Sequence, residues 1–361
     1  MRITNLTTTF LEVPLETALL NVTKTKAILE LILVTVETDE ELKGHGYTYT
    51  DGYGGHAIRT MLETDILELV RGKDPCEVKA IVAETQWKIR QAGFGGVTSL
   101  AIAGLDLALW DIFSQSVGLP LVKLLGAYKN RIPMYASIAG WSGLPIEEQV
   151  ARAQELIAKK LVGIKVQIAR APLSKDVLRL KSLREALGPD PKLFVDANTI
   201  MDIPQAIRLG RQIQDFDIFW MEEAISDRDL AGYEILGNHI DIPLATGENL
   251  FCPRDCDEFI KRKLVSYMQA DVIRIGGICE WLRVAGLADA FNIKMSPHFV
   301  MEMSVQLLCT VPNSQFVEYI PWLQAYFKEP ITMENGYALA RQKPGLGLEF
   351  DEKAIQKFRV S

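Results

Sequence analysis

What this chain lacks narrows it first. It has no block of five or more basic residues, and its 46 acidic against 39 basic side chains leave a formal net charge of −7. That balance argues against a nucleic-acid partner, which needs a basic face for the phosphate backbone. No apolar run reaches the roughly 18 residues a membrane span needs, and the first residues show no apolar leader core. The five cysteines (Cys76, Cys252, Cys256, Cys279 and Cys309) are scattered and odd in number. They read as reduced thiols of a cytoplasmic protein rather than a disulfide set. Cys252 and Cys256 stand four apart, but no second Cys/His pair follows at finger spacing, so zinc is not expected.

At 361 residues, 48% hydrophobic and 24% charged, the chain has the make-up of a globular enzyme with more than one domain. Its first 125 or so residues read as an α+β module. The stretch 28–37 alternates and is β-branched, as in an antiparallel strand, and Gly44–Tyr49 is a second strand candidate. Helical patterns follow at 56–71, 76–91 and 99–116, the last stopped by Gly118-Leu119-Pro120. His45 and His56 fall in this module and read as structural.

From about Ile132 the pattern becomes a regular alternation of apolar strands and amphipathic helices, at 146–160, 174–187, 204–214 and 278–290 among others. Eight strand candidates run from Pro133–Ala136 to Phe316–Tyr319, and no helix-length pattern follows the eighth. The spacing, about 20–30 residues per unit, is that of a strand-plus-helix barrel. Polar residues close the apolar runs: Lys165, Asp196 with Asn198, Glu222, Glu248, Asp271, His298 and Glu318. Barrel enzymes keep their chemistry at that end of the strands.

Asp196, Glu222 and Glu248 end three successive strands, so they should converge at the barrel mouth. Such a cluster repels itself unless a cation joins it. All-oxygen ligands select a hard ion, Mg²⁺ before Mn²⁺. Asn198 and Glu223 lie beside these ligands and are expected to support them, with Asn198 also facing the substrate. Two proton-transfer groups flank the metal. Lys165 ends the second strand, and His298 ends the seventh beside Asp271, which can fix its tautomer and raise its basicity. Glu318, if held protonated by an apolar, anion-facing site, could donate to a substrate carboxylate.

The set Lys165, Asp196, Glu222, Glu248, Asp271, His298 and Glu318 resembles the mandelate racemase subgroup of the enolase superfamily. The similarity extends over nearly the whole chain, including Gly104–Asp111 and Leu121–Gly126. It implies an α/β fold, a (β/α)7β modified TIM barrel with an α+β capping domain. The expected division is a cap at 1–128, a barrel at 129–328 and a returning segment at 329–361. The resemblance further implies one Mg²⁺, with Mn²⁺ as a substitute, removal of the proton α to a carboxylate, and a homo-oligomer. Loops near Leu15–Lys26 and Tyr47–His56 would then cover the site and select the substrate.

One departure from the family bears on the reaction. Its second-strand motif is usually Lys-x-Lys, with Lys-x-His or Lys-x-Arg in some members; here it is Lys165-Val166-Gln167. Gln167 can keep the contact to the substrate carboxylate but brings no charge to lower the pKa of Lys165. A more basic Lys165 leaves His298 as the principal base. That favours β-elimination from a sugar acid to a 2-keto-3-deoxy acid. A close variant is a cycloisomerase, since Gly46–Thr50 and the Gly-rich loop after it look similar to those of 3,6-anhydro-galactonate cycloisomerases. Racemisation or epimerisation of a 2-hydroxy acid is the second enzymatic reading. A catalytically silent sugar-acid binding protein is the reading from another class, and it would have lost the acid/base set retained here.

Overall fold

The computed structural model describes residues 1–15 and 27–360, so most of the expected Leu15–Lys26 covering loop lies outside the described residues. An antiparallel sheet comes first, β1 (Ile3–Pro14), β2 (Ile28–Thr38) and β3 (Lys43–Thr50), paired in that order. Helical turns cover Gly55–Val70, with a π-helical segment at Leu62–Ile66 between two α-helical pieces. Helix Val78–Lys88 and the 20-residue helix Val97–Ser116 complete this part.

That last helix is long and apolar enough by length and composition to cross a membrane, yet 89% of its apolar window is buried in the protein. It is the core helix of the cap, and Asp106 and Asp111 interrupt it with structural work. Asp106 accepts from the backbone N–H of Ile278 at 2.6 Å, tying the cap to the start of a barrel helix. Asp111 accepts from the N–H groups of His45 and Leu346 at 2.8 and 2.7 Å.

Strand β3 is placed by its glycines. A Cβ on Gly44 would lie 2.1 Å from the carbonyl oxygen of Ala108, and one on Gly46 would lie 2.3 Å from that of Gly104. Backbone therefore rests directly on backbone. Because side chains alternate along a strand, Gly44, Gly46 and Thr48 face the helix while His45, Tyr47 and Tyr49 face the other way. Tyr47 reaches Glu302 at 3.1 Å and Tyr49 reaches Asp271 at 2.5 Å, both in the barrel part of the chain.

The barrel has eight parallel strands: β4 (Arg131–Gly140), β5 (Gly163–Gln167), β6 (Lys192–Asp196), β7 (Ile218–Glu222), β8 (Leu244–Thr246), β9 (Tyr267–Met268), β10 (Lys294–Met295) and β11 (Val317–Tyr319). They pair in sequence, and β11 pairs back onto β4. A bridge from Met295 to Ser314 closes the ring. A helix follows each of the first seven strands, whereas only a 3-10 turn, Pro321–Tyr326, follows the eighth. The fold is a (β/α)7β barrel with an N-terminal cap. Strands β12 (Met333–Glu334) and β13 (Tyr337–Leu339) then form a hairpin, with β13 on the outer edge of β4. Val360 donates its N–H to the Phe10 carbonyl at 2.9 Å, back on the first sheet.

Inside the barrel, Tyr135, Phe194, Trp220 and Phe316 form a buried aromatic floor, with the Phe194 and Trp220 rings 4.3 Å apart. Each stands two residues before a polar side chain of its own strand or strand end: Ser137, Asp196, Glu222 and Glu318. Period-2 alternation thus stacks a polar layer directly on an apolar one.

The glycine contact gives a test of this architecture. Gly46→Ala must push β3 off the helix and should destabilise the protein by about 1–3 kcal/mol in urea unfolding, the usual cost of overpacking. An unchanged midpoint would mean that the sheet and helix can separate freely.

Candidate active site

A cavity of about 370 Å³ opens at the C-terminal end of the strands, where the cap meets the barrel. Lys165, Gln167, Asp196, Asn198, Glu248, His298 and Glu318 all line it, with Tyr49 and Asp51 reaching in from the cap. The part of the expected Tyr47–His56 cover that enters the site is thus Tyr49 and Asp51. His45 sits against Thr35 at 3.3 Å and His56 stacks on Phe10, both away from the cavity.

Asp196 and Glu222 pair in register at the ends of β6 and β7, and Glu248 stands two residues past β8. One oxygen from each lies within 4.8 Å of the others. At an effective dielectric of about 20, each such pair of charges repels by about 3 kcal/mol, so three pairs approach the whole stability of a typical domain. Burial and mutual repulsion push Asp196 and Glu222 above the usual carboxylate range, despite the opposing pull of Lys165. The three all-oxygen donors fit a hard divalent cation with open positions for water and substrate. Trp220 Nε1 donates to Glu222 Oε2 from the floor at 3.1 Å, and Asn198 donates to both oxygens of Asp196, at 2.8 Å from its N–H and 3.0 Å from Nδ2. Glu223 turns aside and takes both its bonds from Asn249 Nδ2, at 3.0 and 2.8 Å.

Lys165 Nζ lies 2.6 Å from Glu318, 2.8 Å from Glu222 and 3.4 Å from Asp196. Burial alone would lower its pKa, but the three carboxylates outweigh burial and raise it well above the ordinary value. The expected basicity of Lys165 therefore arises mainly from these anions, more than from the neutrality of Gln167. Gln167 itself accepts from the Ser142 N–H at 3.2 Å and turns its amide side to the cavity wall.

The surroundings of Glu318 pull against the protonated acid expected from the sequence. Burial would raise it, but Lys165 at 2.6 Å, the nearby His298 and the Ser137 hydroxyl drive it down to about 2. Both its oxygens accept, Oε1 from Ser137 at 2.5 Å and Oε2 from the Phe299 N–H at 2.9 Å. In this arrangement both carboxylate oxygens act as acceptors.

On another wall, His298 Nδ1 lies 2.8 Å from Asp271 Oδ2, while Nε2 faces Glu248 at 3.7 Å. Burial would lower the histidine's pKa, but Glu248 and Asp271 raise it. Arg274, three residues past Asp271, was not singled out in the sequence. It is buried in the cavity wall and binds the Glu248 carbonyl at 3.1 Å and the Asn249 side chain at 3.2 Å. An arginine inside the apolar run 270–275 was the signal that pointed to it. Tyr49 falls within the expected Tyr47–His56 cover, but its bond to Asp271 was not foreseen from the sequence.

The donor set makes a specific claim on ligand roles. In calorimetric Mg²⁺ titrations, Asp196→Asn, Glu222→Gln and Glu248→Gln should each weaken binding beyond the roughly 10–100-fold typical of outer-sphere partners. Glu223→Gln should stay within that range. Equal losses at Glu222 and Glu223 would overturn this division.

Comparison with known proteins agrees with the geometry. The family described as enolase C-terminal domain-like matches residues 148–354, and the mandelate racemase / muconate lactonizing enzyme N-terminal domain matches residues 3–126. The chain is 31% identical over 324 residues to the L-talarate/galactarate dehydratase of Salmonella typhimurium, covering 90% of this chain and 81% of that protein. It is 33% identical over 332 residues to the 3,6-anhydro-alpha-L-galactonate cycloisomerase of Streptomyces coelicolor, covering 92% of each. The crystal structure of L-talarate dehydratase from Polaromonas sp. JS666, complexed with Mg and L-glucarate, superposes with a TM-score of 0.92 at 29% identity, covering 100% of this chain and 98% of that one. With both halves matched and the barrel, cap and acidic strand ends in place, the chain belongs to the mandelate racemase / muconate lactonizing enzyme family of the enolase superfamily.

Proposed function

We propose that this protein is a Mg²⁺-dependent sugar acid dehydratase that removes the proton α to a carboxylate and eliminates the β-substituent, giving a 2-keto-3-deoxy acid. The observation that carries this reading is one cavity lined by Lys165, two members of the acidic triad and His298, which Asp271 holds from behind at 2.8 Å; the third member of the triad, Glu222, is held at 2.8 Å by Lys165. A divalent cation held by Asp196, Glu222 and Glu248 supplies Lewis-acid charge against the substrate carboxylate.

The chain's own residues divide the remaining work. His298 Nε2 takes the α-proton while Asp271 holds Nδ1–H. The freed electron pair makes the Cα=Cβ double bond of an enol as the β-hydroxyl leaves, and His298 returns its proton to that hydroxyl, releasing water; the enol then gains a proton at Cβ and releases its O–H proton to become the keto acid. Lys165, within 3.4 Å of three carboxylates, orients the substrate and supplies the proton that completes the keto acid. Glu318 and Ser137 hold that ammonium in place. Residues 1–128 serve as the cap that shapes the pocket, 129–328 carry the chemistry, and 329–361 tie the two together.

The cycloisomerase variant uses the same proton removal with a ring ether oxygen as the leaving group. It is favoured by the similarity to the Streptomyces cycloisomerase along 92% of both chains.

A screen of sugar monoacids, diacids and anhydro acids for 2-keto acid formation tests the reading, and EDTA should abolish activity until Mg²⁺ is returned. His298→Asn should lose about 10²–10⁴-fold in rate and all exchange of the α-proton for solvent deuterium. Lys165→Ala should keep some exchange. Exchange that survives in His298→Asn and vanishes in Lys165→Ala would assign the base to Lys165 and restore the racemase reading.

A further inference from the structure

Asp271 is the hinge between the two domains' contributions to the site. Its Oδ1 is taken by the backbone N–H groups of Ile273 and Arg274, at 2.7 and 3.2 Å. That leaves Oδ2 for the histidine, and His298 Nδ1 lies 2.8 Å from it. The Tyr49 hydroxyl donates to the same oxygen at 2.5 Å, from a residue 222 positions away in the chain.

The tyrosine is clamped in that position. Its ring meets Phe299, the neighbour of His298, edge-on at 5.0 Å, and the Arg274 guanidinium lies 5.7 Å from the ring centre. The strand beneath it is seated on the core helix through Gly44 and Gly46. Burial raises the phenol pKa well above its ordinary value, so the hydroxyl keeps its proton and remains a donor. Tyr47, two residues earlier on the same face, donates to Glu302 instead and serves as an internal contrast.

We propose that Tyr49 is a positioning residue through which the capping domain sets the Asp271–His298 dyad. Its hydroxyl fixes Oδ2, so that the carboxylate holds Nδ1–H in line and Nε2 is aimed at the cavity. Two protons share one oxygen, so the strength of the tyrosine bond also governs how strongly Asp271 pulls on the imidazole. A barrel without a seated cap would then keep its metal ligands and lose the aim of its base. The catalytic consequence rests on the elimination reading above; the hydrogen-bond competition does not.

Proton NMR of the full-length, Mg²⁺-loaded protein tests this. The His298 Nδ1–H resonance is identified by its disappearance in His298→Asn. Tyr49→Phe keeps the ring and removes the competing donor, so that resonance should move downfield. Installing 3-fluorotyrosine at position 49 makes the phenol a stronger donor and should move it upfield, which keeps a test available if the Phe variant folds poorly. Tyr47→Phe should leave it in place. With the sugar acid found in the screen, kcat of Tyr49→Phe should fall about 10–100-fold while KM changes by no more than about twofold. A resonance unmoved in both Tyr49 variants, or an undiminished kcat, overturns the inference. If the wild-type protein turns over no sugar acid, the functional reading fails, and the resonance still decides the role of Tyr49.

Discussion

The organising constraint is the crowding of carboxylates at the barrel mouth. Asp196, Glu222, Glu248 and Glu318 are all buried, and the aromatic floor beneath them admits no solvent relief from below. Repulsion on this scale rivals the stability of a domain, so it persists only where the surrounding fold over-determines it. Parallel strand ends supply that rigidity, because a backbone ladder fixes the Asp196–Glu222 register regardless of what their side chains prefer. The same repulsion is what makes the site selective for a compact divalent cation.

The capping domain takes part in this site as more than a lid. Its core helix, Val97–Ser116, presents Gly104 and Ala108 to the glycines of β3, so close packing on one face of the strand fixes where the tyrosines on the other face arrive. Asp106, between those two residues but on the opposite face of the helix, anchors it to the barrel helix at Ile278. Precision is thus transmitted from a helix–strand contact in the cap to the hydrogen bonds of Asp271. Such a design lets cap loops vary around the pocket while the strand that reaches the dyad stays put.

Much of this was legible in the sequence. The strand and helix periods are strong in the second half of the chain, and each acid closes an apolar run, so the eight strands and the convergence of Asp196, Glu222 and Glu248 follow from pattern alone. What could not be read depends on contacts between distant strands. Lys165 reaches Glu318 from the second strand and pulls its pKa down, a contact that a local reading of an apolar environment does not contain. Arg274 and Tyr49 acquire meaning only through partners 25 and 222 residues away.

The sign of Glu318 changes the division of labour between the two flanks. A protonated Glu318 would donate to the substrate and leave Lys165 free to lose its proton and act as a base. An anionic Glu318 instead holds the lysine as an ammonium, jointly with Glu222 and Asp196. The histidine has Asp271 on Nδ1, while Nε2 faces the cavity 3.7 Å from Glu248. A racemase needs two groups that exchange the roles of acid and base with similar ease. Here the two flanks differ: Lys165 lies within 3.4 Å of three carboxylates, whereas His298 is aimed by a single hydrogen bond to Asp271. Elimination needs only that asymmetry: a base to start the reaction and an acid to finish it.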